Sequence, residues 1–224
     1  MNTDMSGAIQ VFEDHASSYD AWFDSPKGKQ LFELELGCLR ALKPTDASGT
    51  DLWLEVGTGS GRFAQALGVP AGVEPAPAMA KLANARGIET MVATGEHLPY
   101  SDATLKGVLI VCTICFVQDA ARVFKECARV LQTKGHLLLG FVPSDSLWGQ
   151  FHSLRGQAGH TYYSNARFFT QAEIVELAMD AGLSLEMDRQ VELPAPAPDS
   201  SDYLPGMNPE PGVSSFQGLL FQKK

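Results

Sequence analysis

Apolar residues along this chain fall into short unbroken runs separated by stretches of helical periodicity. The runs at 52–56, 69–73, 88–93, 105–116 and in HLLLGFV read as buried strands, and 183–191 and 214–222 add two more. Between them, helices are predicted from Arg62 to a stop at Gly68, over 76–86 with Met79, Leu82 and Ala83 on one face, and after Asp119 with Val123, Phe124, Cys127, Val130 and Leu131 inward. Thr170 and Glu173 form a capping box that opens a helix over 170–181, and Gly87 and Gly182 are placed as terminators. Ahead of the first strand, residues 1–45 read as helical. Leu31, Leu34, Cys38, Leu39 and Leu42 line one face, and an earlier aromatic segment holds Phe12, Tyr19, Trp22 and Phe23 with Asp14, Asp20 and Asp24 between them. Strand alternating with helix is the pattern of a doubly wound α/β sheet.

Two stretches break the rhythm. Residues 142–169 carry Trp148, Phe151, His152, Tyr162, Tyr163, Phe168 and Phe169 after the end of a strand, where loops of this fold reach over a ligand. Residues 194–213 hold six prolines and read as a loop. The division expected is a helical cap over 1–45 and an α/β domain over 46–224, with 142–169 as a lid inserted in it.

Composition narrows the partners. Seventeen basic against 26 acidic residues give a net charge of -9, and no basic run exceeds Lys223-Lys224. A phosphate backbone needs a clustered basic surface, so a nucleic-acid partner is not expected. The N-terminus lacks a basic patch followed by an apolar stretch, and no apolar run reaches the ~18 residues of a membrane span. A cytoplasmic protein, monomer or homodimer, is the expectation. Cys112 and Cys115 form a C-x-x-C, but at the end of an apolar run rather than in a turn opening a helix, so they read as buried thiols. No further ligands stand nearby at zinc spacing, and no metal is expected.

The chemistry concentrates in LWLEVGTGSGRF. A strand runs into Gly57, Gly59 and Gly61 and then into a helix, the form of a nucleotide-handling loop. A phosphate-gripping loop would close on Gly-Lys-Ser/Thr, and Gly61-Arg62-Phe63 stands there instead. A dinucleotide loop would put a small residue where Arg62 stands. Glu74 ends the second strand 17 residues after Gly57, placed to accept hydrogen bonds from ribose hydroxyls.

Glu55, Gly57, Gly59 and Gly61 resemble motif I of the class I S-adenosylmethionine (SAM)-dependent methyltransferases. The segment TGEHLPYSD resembles G-D-A-E-x-L-P-F-x-D of the methyltransferase group that includes the ubiquinone-biosynthesis enzymes, with Thr94, Gly95 and Glu96 at the D-A-E positions. ARVLQTKGHLLLG resembles that group's A-R-V-L-K-P-G-G-x-L. Departures are Thr94 for the adenine-contacting aspartate, Leu105-Lys106-Gly107 where Phe-Asp is usual, and Thr133-Lys134 for Pro-Gly. The likeness implies a Rossmann-like seven-stranded sheet with its last strand antiparallel. It also implies SAM as cofactor, S-adenosyl-L-homocysteine as product, and methyl transfer to a small-molecule acceptor.

The roles implied follow the motif. Gly57, Thr58, Gly59 and Gly61 admit the methionyl and ribose portions, Glu55 orients the loop and its amine contacts, and Glu74 with Pro75 holds the ribose. Met79 packs the adenine, Thr94, Gly95 and Glu96 meet its polar edge, and Cys112 and Thr113 flank the methionine part. Tyr19, His152 and Tyr162 are the candidate acid–base groups. Two alternatives stay open: a SAM-binding module without catalysis, and a nicotinamide-dependent oxidoreductase, which Arg62 opposes.

Overall fold

The computed structural model describes residues 6–44, 52–195 and 215–224. The chain begins with two helices, α1 (Ser6–Trp22) and α2 (Pro26–Leu42). It continues through β1 (Trp53–Val56), α3 (Arg62–Leu67), β2 (Ala71–Val73), α4 (Pro77–Ala85), β3 (Glu89–Met91), β4 (Leu105–Val111), α5 (Ala120–Val130) and β5 (Leu131–Phe141). It ends in α6 (Leu147–Gln157), α7 (Gln171–Asp180), β6 (Leu183–Val191) and β7 (Phe216–Lys223). The strands make one sheet in the order β3-β2-β1-β4-β5-β7-β6, with β7 antiparallel to both neighbours and β1 to β5 parallel. The seven-stranded doubly wound sheet with an antiparallel last strand is therefore present. Most of the proline-rich loop expected at 194–213 lies outside the described residues.

Local chemistry sets the ends. The Ser25 hydroxyl accepts from Gly28 N at 3.0 Å with Pro26 in the first turn of α2, Asp119 caps α5 through Arg122 N, and Thr170 and Glu173 make the capping box on α7. Central strands are apolar on both faces because helices cover both. One core layer packs Phe124, Cys127, Val130 and Ile174 of α5 and α7 against the sheet. The other packs Leu31, Leu36, Leu39 and Leu42 of α2 with Ala64 of α3 and Phe151 of α6. Thus α2 is a layer of the fold, whereas α1 crosses the carboxyl ends of the strands.

Two expectations change. The run 105–116 is strand only to Val111, since Cys112 turns the chain with φ of 50° and Ile114–Phe116 form a 3-10 turn. The segment 142–169 contains α6, whose N-cap Ser146 accepts from Gly149 N at 3.0 Å. Among the described residues no helix is long and apolar enough to cross a membrane.

Candidate functional site

The glycine turn is fixed to its neighbours by backbone bonds. Gly57 N and Thr58 N both donate to Val73 O, at 2.9 and 3.0 Å, and the Thr58 hydroxyl donates to Glu55 O at 2.9 Å. The Thr58 side chain is thereby turned toward β1 and β2. Gly57 has φ of 71°, and a Cβ there would strike the Thr113 side chain, whose hydroxyl donates to Gly57 O at 3.1 Å. Glu55 acts on the other side of the turn. Its Oε2 accepts from Ala64 N at 3.0 Å and so caps α3, whose own N-cap, Gly61, has no side chain to do it. The Glu55 carboxyl is 2% exposed, and burial pushes its pKa well above the usual carboxylate range.

Glu74 faces this turn from the tip of β2. Its Oε2 accepts from Gly59 N at 2.9 Å and its Oε1 from Ala76 N at 3.0 Å. Burial raises its pKa, with the two backbone bonds opposing. Each carboxylate oxygen keeps a second lone pair, so two hydroxyl donors could still be met.

A cavity of about 1240 Å³ opens above the strand ends. Tyr19, Glu55, Gly57, Thr58, Gly59, Glu74, Pro75, Met79, Thr94, Gly95, Glu96, Cys112, Thr113, His152 and Tyr162 all line it. Gly61 does not. A Cβ on it would sit 3.0 Å from the Ala83 backbone and 3.3 Å from Ile88, so this glycine lets α3 pack against α4 rather than admitting a ligand. Glu96 lines the cavity with one oxygen already engaged: its Oε1 accepts from Gln118 N at 2.8 Å and Asp119 N at 3.3 Å, ahead of α5.

Helix α1 is latched over the cavity by three strands of chemistry. The Glu13 Oε2 accepts from Ala78 N at 2.7 Å in the first turn of α4. Asp20 takes Arg62 Nε at 2.7 Å, Arg86 Nη2 at 2.6 Å and the Ser60 hydroxyl at 2.6 Å. Burial alone would raise the Asp20 pKa, but the bonds from Arg62, Ser60 and Arg86 outweigh it and hold the carboxyl at about 2. Aromatic contacts form the third. Phe12 meets Tyr19 at 5.4 Å, Phe116 at 5.1 Å and Tyr162 at 5.7 Å between ring centroids, which joins α1 to the segment after α6. None of this network was legible as such in the sequence; only the alternation of acids with aromatics in α1 pointed at it.

Comparisons with known proteins fall on this geometry. Residues 54–139 match a family model described as a methyltransferase domain. A curated Mycobacterium tuberculosis protein of uncharacterised function is 39% identical over 167 residues, which are 75% of this chain and 58% of that protein. The chain thus spans little more than half the length of the mycobacterial relatives it matches. An uncharacterised Methanocaldococcus jannaschii protein is 30% identical over 78% of this chain and 81% of its own length. A solved Thermotoga maritima structure, described as a SAM-dependent methyltransferase and possible histamine N-methyltransferase, is 31% identical with a TM-score of 0.81. The match covers 97% of this chain and 100% of that one. The chain belongs to the SAM-dependent methyltransferases.

The donor set fits the family's cofactor. Glu74 would offer acceptors to a ribose, Gly59 leaves room beside Met79, with a Cβ there still 3.5 Å from the Met79 methyl, and Gly57 brings backbone close to Thr113 after β4. Thr94 lines the same wall.

The remaining wall is aromatic and holds groups of unusual protonation. His152 lies against Trp148, Phe151, Tyr163 and Phe168, at 4.1 Å from the Tyr163 centroid, and its buried Nδ1 has no hydrogen-bond partner. Burial first, then Arg155, His160 and Lys27, lowers its pKa to about 3, so it stays neutral and is a poor base at pH 7. Burial also keeps the Tyr19 phenol protonated. The Cys112 and Cys115 thiols are likewise raised, Cys115 to about 12, which removes thiolate chemistry. Glu35 on α2 lines the cavity too, and its carboxyl is pushed by burial to about 8. The sequence reading passed it over.

Proposed function

We propose that this chain transfers the methyl group of SAM to a small-molecule acceptor by in-line displacement. The observation that carries the reading is Glu74 bound to Gly59 N across the glycine turn, inside a cavity large enough for a nucleoside and a second small molecule. The sulfonium supplies an already activated methyl group, so the protein's task is to hold the acceptor close and aligned. Positioning of this kind is worth up to about 7–11 kcal/mol. Gly57, Gly59 and Glu74 bind and orient the cofactor. Phe12, Tyr19 and Tyr162 close over the acceptor and exclude water.

An acceptor of small size is supported by the roofed cavity and by the net charge of -9, which disfavours a polyanion. The description of the Thermotoga maritima protein as a possible histamine N-methyltransferase puts amines first in a screen. The test is turnover: protein, SAM and a panel of amines, phenols, thiols and carboxylates, with S-adenosyl-L-homocysteine measured. Product above the acceptor-free background with one class is expected. Calorimetric binding of SAM with no turnover on any class would leave a binding module, and binding of NAD in place of SAM would overturn the reading.

A further inference from the structure

Helix α2 presents Leu31, Glu35 and Leu39 one turn apart on a single stripe, so the acid stands in the line of residues that enter the core. It lines the cavity, as do Tyr19 of α1, Cys112 and Tyr163. Unlike Glu13, Glu55, Glu74 and Glu96, whose carboxylates all accept backbone N–H groups, Glu35 has no hydrogen bond or ion pair with any described residue. Of the cations lining the cavity, Lys27 lies 5.3 Å from the Trp148 centroid and Arg155 5.4 Å from that of Phe151, and neither makes an ion pair with Glu35. Desolvation at the cavity wall raises its carboxyl to about 8. Such a group is suited to one kind of ligand.

Resting on the methyl-transfer reading above, we propose that Glu35 receives the acceptor, a primary or secondary amine that arrives as an ammonium ion with an apolar or aromatic body. The ammonium pairs with the Glu35 carboxylate while the rings of Phe12, Tyr19 and Tyr163 surround its body. The pair then resolves to a neutral amine and a carboxylic acid by moving one proton from nitrogen to Glu35. The freed nitrogen lone pair forms the N–C bond to the methyl group as the C–S bond breaks, with that bond's electron pair left on sulfur. The charge passes from sulfonium to the methylated ammonium, and no other reactant is needed. A carboxyl raised to about 8 stands closer to an amine than an ordinary carboxylate does, which eases this transfer, whereas neutral His152 and protonated Tyr19 are poor acceptors of it.

The test titrates phenethylamine, tyramine and hexylamine into the SAM-free protein at pH 7, in buffers of different ionisation enthalpy. Since Glu35 is mostly protonated there, binding of an ammonium should release about one proton. Glu35→Gln should lose the proton release and bind these amines about 10- to 100-fold more weakly, with SAM affinity unchanged. Glu35→Asp, which keeps a shortened carboxylate, should restore the release. With SAM and the amine that binds best, Glu35→Gln should also lower kcat and flatten its pH profile near 8. Amine binding and proton release unchanged in Glu35→Gln, no binding of any of the three amines, or preference for 3-phenylpropionate would each overturn the assignment. Failure of SAM to bind the wild type would instead overturn the methyl-transfer reading, and the amine titration, which needs no SAM, would still judge Glu35.

Discussion

Glu74→Gln separates the two jobs of the acid at the β2 tip. In the wild type each carboxylate oxygen accepts one backbone N–H, from Gly59 at 2.9 Å and from Ala76 at 3.0 Å, and keeps a lone pair for a ribose hydroxyl. A glutamine fills the same volume but brings one NH2. Whichever way the amide turns, that NH2 faces a backbone N–H, so one bond to the loop is lost even without ligand. Removing a charged acceptor from two buried donors should cost about 1–3 kcal/mol of stability. The lost charge-assisted bond to the ribose is worth about 1.5–3 kcal/mol, or about 10- to 150-fold in the Kd for SAM. Calorimetry with SAM measures the sum, and 5′-methylthioadenosine compared with its 2′,3′-dideoxy analogue isolates the sugar. The wild type should prefer the hydroxylated compound, and Glu74→Gln should prefer it far less. An equal preference in both proteins, or an unchanged Kd for SAM, would remove Glu74 from the ribose. The pH dependence has a sign as well. Burial raises the Glu74 pKa, so SAM affinity should begin to fall on acidification above the ordinary carboxylate range, as the group gains a proton and loses an acceptor.

Two further substitutions probe the latch and the turn. Asp20→Asn should cost about 2–3 kcal/mol in urea unfolding at pH 7, because a carboxyl held at about 2 stabilises the fold above its unfolded pKa near 3.8. That difference should vanish as pH falls through 2–4, and a gap that persists at pH 2 would show that the loss is not ionic. Gly57→Ala should destabilise by more than the about 1–2 kcal/mol of a left-handed alanine, since its Cβ also meets Thr113; thermal unfolding with and without Thr113→Ala tests the second part, and no relief in the double variant would refute it.

Much of the sheet could be read from the chain because interior parallel strands are apolar on both faces and the connections carry recognisable caps. The edges of that reading failed for a physical reason. Hydrophobic periodicity reports burial, and Cys112 to Phe116 are mostly apolar in a tight turn on the cavity wall, so the run at 105–116 looked like strand beyond the point where the chain bends. Equal spacing misled in the same way. Gly57, Gly59 and Gly61 recur every second residue, yet the first two face the cavity and the third faces Ala83, since the chain passes from turn to helix between them.

Glu35 and Asp20 show where the information lies when resemblance is silent. Asp20 acquires its meaning only in three dimensions: Arg62 and Arg86 stand 42 and 66 residues away, and one carboxylate joins helices whose sequences do not mention one another. Glu35 is different, because its signal was on the page of the sequence. Leu31, Leu39 and Leu42 define an apolar stripe, and the residue one turn after Leu31 is an acid. An acid among stripe residues has three outcomes: it turns out to solvent, it finds a donor, or it faces a cavity that a ligand completes. The first fails for Glu35 because it lines the cavity, and the second because no described donor reaches it. A charge breaking an apolar helical stripe is therefore a site signal that needs no motif, and in this chain it falls on the cavity wall outside the segments that carry the family's motifs.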